Sequence, residues 1–285
     1  MPKKATLKAK RNGNGSKRYP NSAAAASAMM AEAEEVAGAP VAPPVNASRL
    51  AAMMALAEGA AGAPMAGAAP PWYAIPEIPF PRYVFCLSYI YGVLEKKHKS
   101  KSDADVFLKA VLQNYSGMPD AEWEKEEQKR LYMKSMESKM GDFHEELMGQ
   151  FPGYVCMPVG DESGCDVKRR DGSVFMEVKN RDNTMNSSSG KSVVDKLALL
   201  AARGVRAILV EVNCPGGKVN RYGAPASVEV WNGRQAYEFL SGRADFFDRL
   251  LHTLSETMRQ HKEFDALLAM VGARGIKELK VALAV

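Results

Sequence analysis

The stretch "CDVKRRDGSVFMEVKN", Cys165 to Asn180, predicts a β-hairpin around which the rest of the fold is arranged. The pair Asp171-Gly172 at its middle is one of the strongest signals for a two-residue hairpin turn. Such a turn is expected to be of type I′, which needs positive φ at both central positions. The turn then pairs Arg170 with Ser173 and fixes which residues lie opposite one another along the two strands.

This register places two carboxylates and one lysine on the same face of the hairpin. Asp166 falls directly opposite Glu177, with Cβ atoms about 5 Å apart. Lys179 follows Glu177 by two residues, so the strand period of two keeps it on that face. Burial of the other face is expected to turn the three polar side chains outward. That other face is apolar throughout: Cys165, Val167, Val174, Met176 and Val178.

The opposed carboxylates have two explanations that these residues alone leave open. Two like charges across a sheet repel one another unless a cation lies between them. A divalent metal ion would relieve this repulsion, and Mg²⁺ commonly takes one or two protein carboxylates together with water and phosphate oxygens. Alternatively, the stretch is a surface hairpin in which Lys179 partly offsets the repulsion between Asp166 and Glu177.

Helical and strand patterns around the hairpin predict an α/β fold with a central mixed sheet flanked by helices. The sequence from Arg82 to Gln150 is patterned as helix, with Gly141 as a kink or a break. Apolar positions from Lys191 to Arg203 and from Ala244 to Lys262 predict two further helices. Three more strands are predicted at "YVCMPV", "VRAILVEVN" and "SVEVW", and the second is apolar enough for an interior strand.

The composition suits a globular intracellular protein. The chain has 285 residues, of which 46% are hydrophobic and 25% are charged, and its formal net charge of +5 is compatible with a polyanionic partner. Its four cysteines include no CxxC pair, which argues against a zinc cage or a disulfide framework and for reduced thiols. No run of about 18 apolar residues is present, and the N-terminus lacks the apolar core of a secretory signal. We therefore expect a cytoplasmic location and no membrane contact.

The first 71 residues differ in composition from the rest. Basic residues alternate with Gly, Asn and Ser before the first acid, and an Ala-rich segment follows in which "AMMAEAEEVAGAP" recurs as "AMMALAEGAAGAP". This predicts a disordered tail at 1–71 and a globular domain at 72–285. The basic arm is open to three interpretations: a solubilising tail, a nuclear-localisation or DNA-binding segment, or an organellar transit peptide.

The hairpin resembles the catalytic motif of the PD-(D/E)xK nuclease superfamily, with Asp166 as the aspartate and "EVK", Glu177 to Lys179, as the ExK triplet. The continuation "EVKNRDNTMNSSSGK" together with "GDFHEEL" is similar to the type II restriction endonucleases that cut GG-(variable pair)-CC sites. The similarity runs from Trp123 to Leu240.

The resemblance implies a PD-(D/E)xK core and Mg²⁺-dependent hydrolysis of double-stranded DNA by a homodimer at a palindromic site. It makes Asp166 and Glu177 metal ligands, Lys179 the residue that positions or activates water, and Glu145 of "FHEE" a further metal ligand from the preceding helix. A cytosine DNA methyltransferase is the implied functional partner. Taken alone, the sequence favours solvent-facing acids in "GDFHEELM" and a packed or surface position for His144.

The polar segment after the hairpin is the candidate DNA-facing loop. Amides can read adenine and hydroxyls can contact phosphate or base edges, and the N-terminus of the following helix can receive phosphate. Without the resemblance, a capped and turn-rich loop explains the segment as well. The residues concerned are Asn180, Arg181, Asn183, Asn186, Ser187, Ser188, Ser189 and Lys191.

Two further functions stay open at this point. One is a structure-specific repair or recombination nuclease of the same superfamily, which would prefer branched or flapped DNA. The other is a non-catalytic DNA-binding or DNA-packaging protein, in which the basic arm binds DNA and the hairpin is only structural.

Overall fold

The computed structural model describes residues 69–96, 105–181, 185, 187–214 and 222–284. The predicted tail lies outside the described residues up to position 68, and so do Asn183 and Asn186. The helices are α1 (Phe80–Leu94), α2 (Val106–Ser116), α3 (Asp120–Gly149), α4 (Ser187–Ala202), α5 (Gly233–Ser241), α6 (Phe246–Gln260), α7 (Phe264–Met270) and α8 (Ile276–Leu283). The strands are β1 (Tyr154–Cys156), β2 (Val167–Arg169), β3 (Val174–Lys179), β4 (Arg206–Glu211) and β5 (Val228–Asn232).

Within these residues the five strands form one mixed sheet in the order β1-β2-β3-β4-β5. The first two pairs are antiparallel, and the last two are parallel. Helix α4 connects β3 to the parallel strand β4, which lies between β3 and β5. The predicted mixed sheet flanked by helices is confirmed, and so is the interior position of the strand in "VRAILVEVN".

The predicted register of the hairpin is confirmed. Val167 pairs with Met176, and Lys168 pairs with Phe175. The same register places Asp166 opposite Glu177, one position beyond the pair of Val167 with Met176.

The hairpin turn is not of type I′, and that prediction is wrong. Gly172 has a φ of 74°, whereas Asp171 does not have positive φ. Asp171 instead accepts hydrogen bonds from the backbone N–H of Ser173 at 2.9 Å and from its hydroxyl at 2.6 Å. The carbonyl of Arg169 accepts from the N–H of Gly172 at 2.9 Å. Because the Asp171 side chain satisfies the turn locally, Asp171 keeps an ordinary backbone conformation and only Gly172 adopts the left-handed one.

Both faces of the sheet are covered by helices. One face carries Val174, Met176 and Val178 of β3, which pack with α1, α3 and α6 in the larger core cluster. The other face carries Leu209 of β4, which packs with Leu197 of α4 in a second cluster. Strand β4 is therefore buried on both sides, as its continuous apolar sequence requires.

The second cluster corrects two predictions about the hairpin. Cys165 does not lie on the face of Val167, because it precedes β2 and packs with Leu197 instead. The face that carries Glu177 does not turn outward to solvent, because α4 packs over it. Glu177 is only 5% exposed.

Helix α3 runs unbroken through Gly141 for 30 residues. The predicted break at this glycine is therefore wrong. A Cβ at Gly141 would lie 3.9 Å from Cβ of Asn180, so the helix passes close to the end of the hairpin there. None of the helices in the described ranges is long and apolar enough to cross a membrane.

The aromatic and proline-rich segment before α1 lies against the domain. Ile75 and Ile78 are fully buried in the larger cluster. Arg249 of α6 donates to the carbonyl of Ala74 at 2.7 Å and pairs with Glu77 at 2.5 Å.

Candidate active site

The hairpin and its connection to β1 hold the aspartate of the motif in place. The carbonyl of Asp166 accepts from the N–H of Met157 at 2.8 Å, and its N–H donates to the carbonyl of Met176 at 3.0 Å. The Oδ2 atom of Asp166 accepts from the N–H of Val178 at 2.7 Å. The carboxylate is thus directed toward the end of β3, where the other two residues of the motif lie.

Lys179 brings the two carboxylates together. Its Nζ atom lies 2.7 Å from Oε1 of Glu177 and 3.5 Å from Oδ2 of Asp166. Burial alone would lower the pKa of Lys179, but the two carboxylates outweigh it and hold that pKa above its ordinary value. The lysine is therefore a charged ammonium at neutral pH, and its geometry suits charge stabilisation.

The site is half-enclosed. The side chains of Asp166 and Lys179 are each 23% exposed, whereas that of Glu177 is 7% exposed. Burial raises the pKa of Asp166 above its ordinary range, although Lys179 opposes the shift. One side of the motif is accessible to a ligand, and the other is covered by α4.

A second lysine, Lys196 of α4, was not predicted. Its Nζ atom lies 2.5 Å from Oε2 of Glu177, and it also donates to the carbonyl of Gly164. Both oxygens of Glu177 are thus bound by ammonium groups. The sequence held one signal for this contact: Lys196 lies three residues after Val193 and four before Leu200, on the apolar side of its helix, where a charge needs a partner.

An acid at the end of β4 was also not predicted. Glu211 pairs in register with Lys179 and is 3% exposed. Its Oε1 atom has no hydrogen-bond partner among the described residues. Burial raises the pKa of Glu211, while a hydrogen bond with Cys214 opposes the shift. The sequence held one signal for Glu211: it is an acid at the end of an apolar strand. The structure then places that strand beside the ExK triplet.

Glu145 approaches the site from α3. Burial raises the pKa of Glu145 to about 7, and the negative charge of Asp166 raises it further while Lys179 lowers it. The carboxyl group of Glu145 is therefore close enough for the charges of Asp166 and Lys179 to change its pKa. Nevertheless, no three His, Cys, Asp or Glu side chains in the described part of the chain converge as a set of metal ligands.

The donor chemistry of the motif fits a hard divalent cation. Asp166 and Glu177 supply carboxylate oxygens, the ligands that Mg²⁺ prefers, and Mg²⁺ needs only one or two of them from the protein. Burial is the main cause of the raised pKa values of Asp166 and Glu145, and the neighbouring carboxylates add to it while Lys179 opposes it.

His144 is a packed residue, in agreement with the sequence. It is 7% exposed, and its Nδ1 atom lies 2.8 Å from the hydroxyl of Tyr237. Burial lowers the pKa of His144 to about 4. The imidazole is therefore neutral at physiological pH and faces the core beside the acid Glu145.

The predicted DNA-facing residues fall into two groups. Asn180 donates to the carbonyl of Glu137 at 3.1 Å and accepts from Asn213 at 2.9 Å, so its amide links three elements of the fold. Arg181 forms an exposed ion pair with Glu137 at 2.7 Å. By contrast, the first turn of α4 presents exposed polar side chains: Ser187, Ser188, Ser189 and Lys191.

Comparison with known proteins gives two findings. The sequence profile of the Eco47II restriction endonuclease family matches residues 91–261, which is more than half of the chain. The type II restriction enzyme Sau96I of Staphylococcus aureus is 25% identical over 195 residues, which cover 59% of this chain and 74% of that enzyme. The region matched by the profile contains all five strands, α3, α4 and every side chain of the site.

Proposed function

Because the chain belongs to the Eco47II restriction endonuclease family and is a type II site-specific deoxyribonuclease, we propose that Asp166, Glu177 and Lys179 hydrolyse the phosphodiester bonds of double-stranded DNA. The observation that carries this proposal is the position of the Lys179 ammonium, 2.7 Å from Glu177 and 3.5 Å from Asp166. A substrate phosphate placed there meets a fixed positive charge beside two hard oxygen donors.

Asp166 and Glu177 would hold a divalent cation, Mg²⁺ by their chemistry, with Glu145 as a further acid from α3. When bound, such an ion supplies Lewis-acid charge at the scissile phosphate and makes water a better nucleophile. Lys179 then stabilises the negative charge that develops on the phosphate oxygens as the water attacks in line. Its raised pKa keeps it protonated, which favours this role over that of a general base.

The substrate is proposed to be a short palindromic site of the GGNCC or GGWCC type. The exposed first turn of α4 supports DNA contact near the site, since serine hydroxyls and a helix N-terminus both bind phosphate. A palindrome presents the same sequence on both strands, so we propose that two copies of the chain act together. A cytosine DNA methyltransferase that protects the same site is the proposed functional partner.

The test is incubation of the purified chain with plasmid DNA, with Mg²⁺ or with EDTA, followed by mapping of the cut ends. We expect discrete fragments with Mg²⁺, no fragments with EDTA, and cleavage slowed by about 100-fold or more in the variants Asp166→Ala and Lys179→Ala. Asp265→Ala and Lys277→Ala, which change exposed residues away from the site, should cut like the parent. Circular dichroism checks that all four variants fold.

Two outcomes would overturn the proposal. A smear of random fragments would exclude a defined site. Faster cutting of flapped or branched DNA than of plain duplex would instead identify a structure-specific nuclease.

A further inference from the structure

Helix α2 is an apolar helix without a buried residue. Phe107 is 81% exposed and Tyr115 is 91% exposed, and Val106 and Val111 are 67% and 64% exposed. Phe107, Val111 and Tyr115 recur every four residues, so they form one stripe along the helix. Monomeric proteins rarely leave such a continuous apolar stripe in water.

Helix α2 is attached to α3 in a way that leaves the apolar stripe exposed to solvent. Lys109 pairs with Asp120 of α3 at 2.6 Å, and Gln113 donates to the same carboxylate at 2.9 Å. At 100° per residue, Lys109 and Gln113 lie on the side of α2 away from Phe107 and Val111. Asp105 caps the start of the helix and Gly117 ends it with a φ of 70°. The helix is thus fixed to α3 by its polar side.

The adjoining part of α3 has a charge order that complements itself. The eight residues from Asp120 to Glu127 include five acids and one lysine. The twelve residues from Gln128 to Lys139 include four bases and one acid. Two copies of α3 that lie antiparallel would set the acidic half of each against the basic half of the other, whereas parallel copies would set like charges together.

We propose that the apolar stripe of α2, with the exposed side of α3 from Asp120 to Lys139, binds the same surface of a second copy of the chain. A two-fold axis makes such a surface bind itself, and an axis perpendicular to α3 makes the paired helices antiparallel. A stable interface buries about 800 Å² on each partner, which is more than one short helix provides. The exposed side of α3 from Asp120 to Lys139 therefore completes the interface. Aromatic side chains at the centre and charges at the rim are the composition of such interfaces.

The inference rests on the proposed function in one respect. One chain carries one set of Asp166, Glu177 and Lys179, and two copies supply one set for each strand of a duplex. DNA itself does not fit the stripe of Phe107, Val111 and Tyr115, because these side chains carry no positive charge to pair with a phosphate backbone.

The first test is sedimentation velocity on the full chain without DNA or metal. We expect a species of twice the chain mass of 31.0 kDa. The double variant Phe107→Asp, Tyr115→Asp should sediment at the single chain mass with an unchanged circular dichroism spectrum. Val281→Asp is the matched control, because Val281 is 82% exposed on α8, and it should leave the pair intact. A parent chain of single mass, or a double variant of doubled mass, would overturn the inference.

The second test identifies what covers the stripe. p-Benzoylphenylalanine replaces Tyr115 in the full chain, and isotopically labelled and unlabelled copies are mixed and irradiated. Crosslinks between labelled and unlabelled peptides of α2 or α3 support the inference. Crosslinks within one chain to residues 1–68, or to no protein at all, would overturn it. Because pairing is measured without DNA, a dimer that fails to cut DNA counts against the proposed function alone, and a monomer that cuts counts against this interface alone.

Discussion

The Nζ atom of Lys196 lies 2.5 Å from Oε2 of Glu177, while the Nζ atom of Lys179 lies 2.7 Å from Oε1 of the same carboxylate. Lys196 also holds the carbonyl of Gly164, two residues before Asp166. One side chain of α4 therefore fixes both segments that carry the carboxylates of the site.

Replacement of Lys196 by methionine should lower the cleavage rate at saturating Mg²⁺ by about 10- to 100-fold, the usual cost of losing a partner that orients a ligand. The Mg²⁺ concentration for half-maximal rate should fall, because the substitution removes a positive charge that repels the cation. Initial rates over a Mg²⁺ titration separate the two effects. Lys196→Arg should recover part of the rate, and Lys262→Met, at an exposed position, should leave both quantities unchanged. A rate within a factor of two of the parent would refute the positioning role.

Lys179→Ala should lower the single-turnover cleavage rate by about 10²- to 10³-fold, the range measured when one charge-stabilising donor is removed. Lys179→Arg should restore little, because a planar guanidinium cannot occupy the compact position between two carboxylates. Fluorescence anisotropy in EDTA should show DNA binding close to that of the parent. Cleavage within tenfold of the parent rate would contradict the role of this lysine.

The stability of the metal-free protein should fall between pH 4.5 and about 7, because Glu145 has its pKa raised from 4.5 to about 7. In that window the folded protein keeps a proton that the unfolded chain releases, so folding becomes less favourable as pH rises. The loss attributable to this group is at most about 3 kcal/mol. Urea unfolding in EDTA at pH 5 and pH 8 measures it.

Glu145→Gln provides the control for this pH dependence. It should unfold with a smaller difference between the two pH values than the parent, because glutamine cannot ionise. Equal pH dependence in the two proteins would show that other groups cause the loss.

Tyr237→Phe should destabilise the fold without affecting the site. The substitution leaves Nδ1 of the buried His144 without its hydroxyl partner at 2.8 Å, and an unsatisfied buried polar group costs about 1 to 3 kcal/mol. Urea unfolding should show this loss, while the cleavage rate at 25 °C stays near that of the parent. A large loss of cleavage with unchanged stability would instead place His144 in the chemistry.

The register of the hairpin was predictable because it depends on a local alternation of apolar residues. Val167 and Met176 are both fully buried, and a shift by one residue would turn them to the other face. The turn type was not predictable from Asp171-Gly172 alone, because the carboxylate of Asp171 competes with the backbone for the N–H of Ser173.

The enclosure of the site was not predictable because it depends on contacts distant in sequence. An antiparallel hairpin with one apolar face normally leaves the other face in water. Here β3 also pairs with the parallel strand β4, and α4 covers the face that carries Glu177. The same topology brings Lys196 and Glu211 to the site from positions 19 and 34 residues after Glu177 in the sequence.

The turn at Asp171 and Gly172 lies at the opposite end of the hairpin from Asp166 and Glu177. Since the register is held by buried pairs along the strands, the loop can change in length or composition while the carboxylates keep their places. The tip is therefore a natural position for a fluorophore or an affinity tag that leaves the chemistry intact. One hairpin thus has a turn that tolerates variation at one end and carboxylates that must keep their positions at the other.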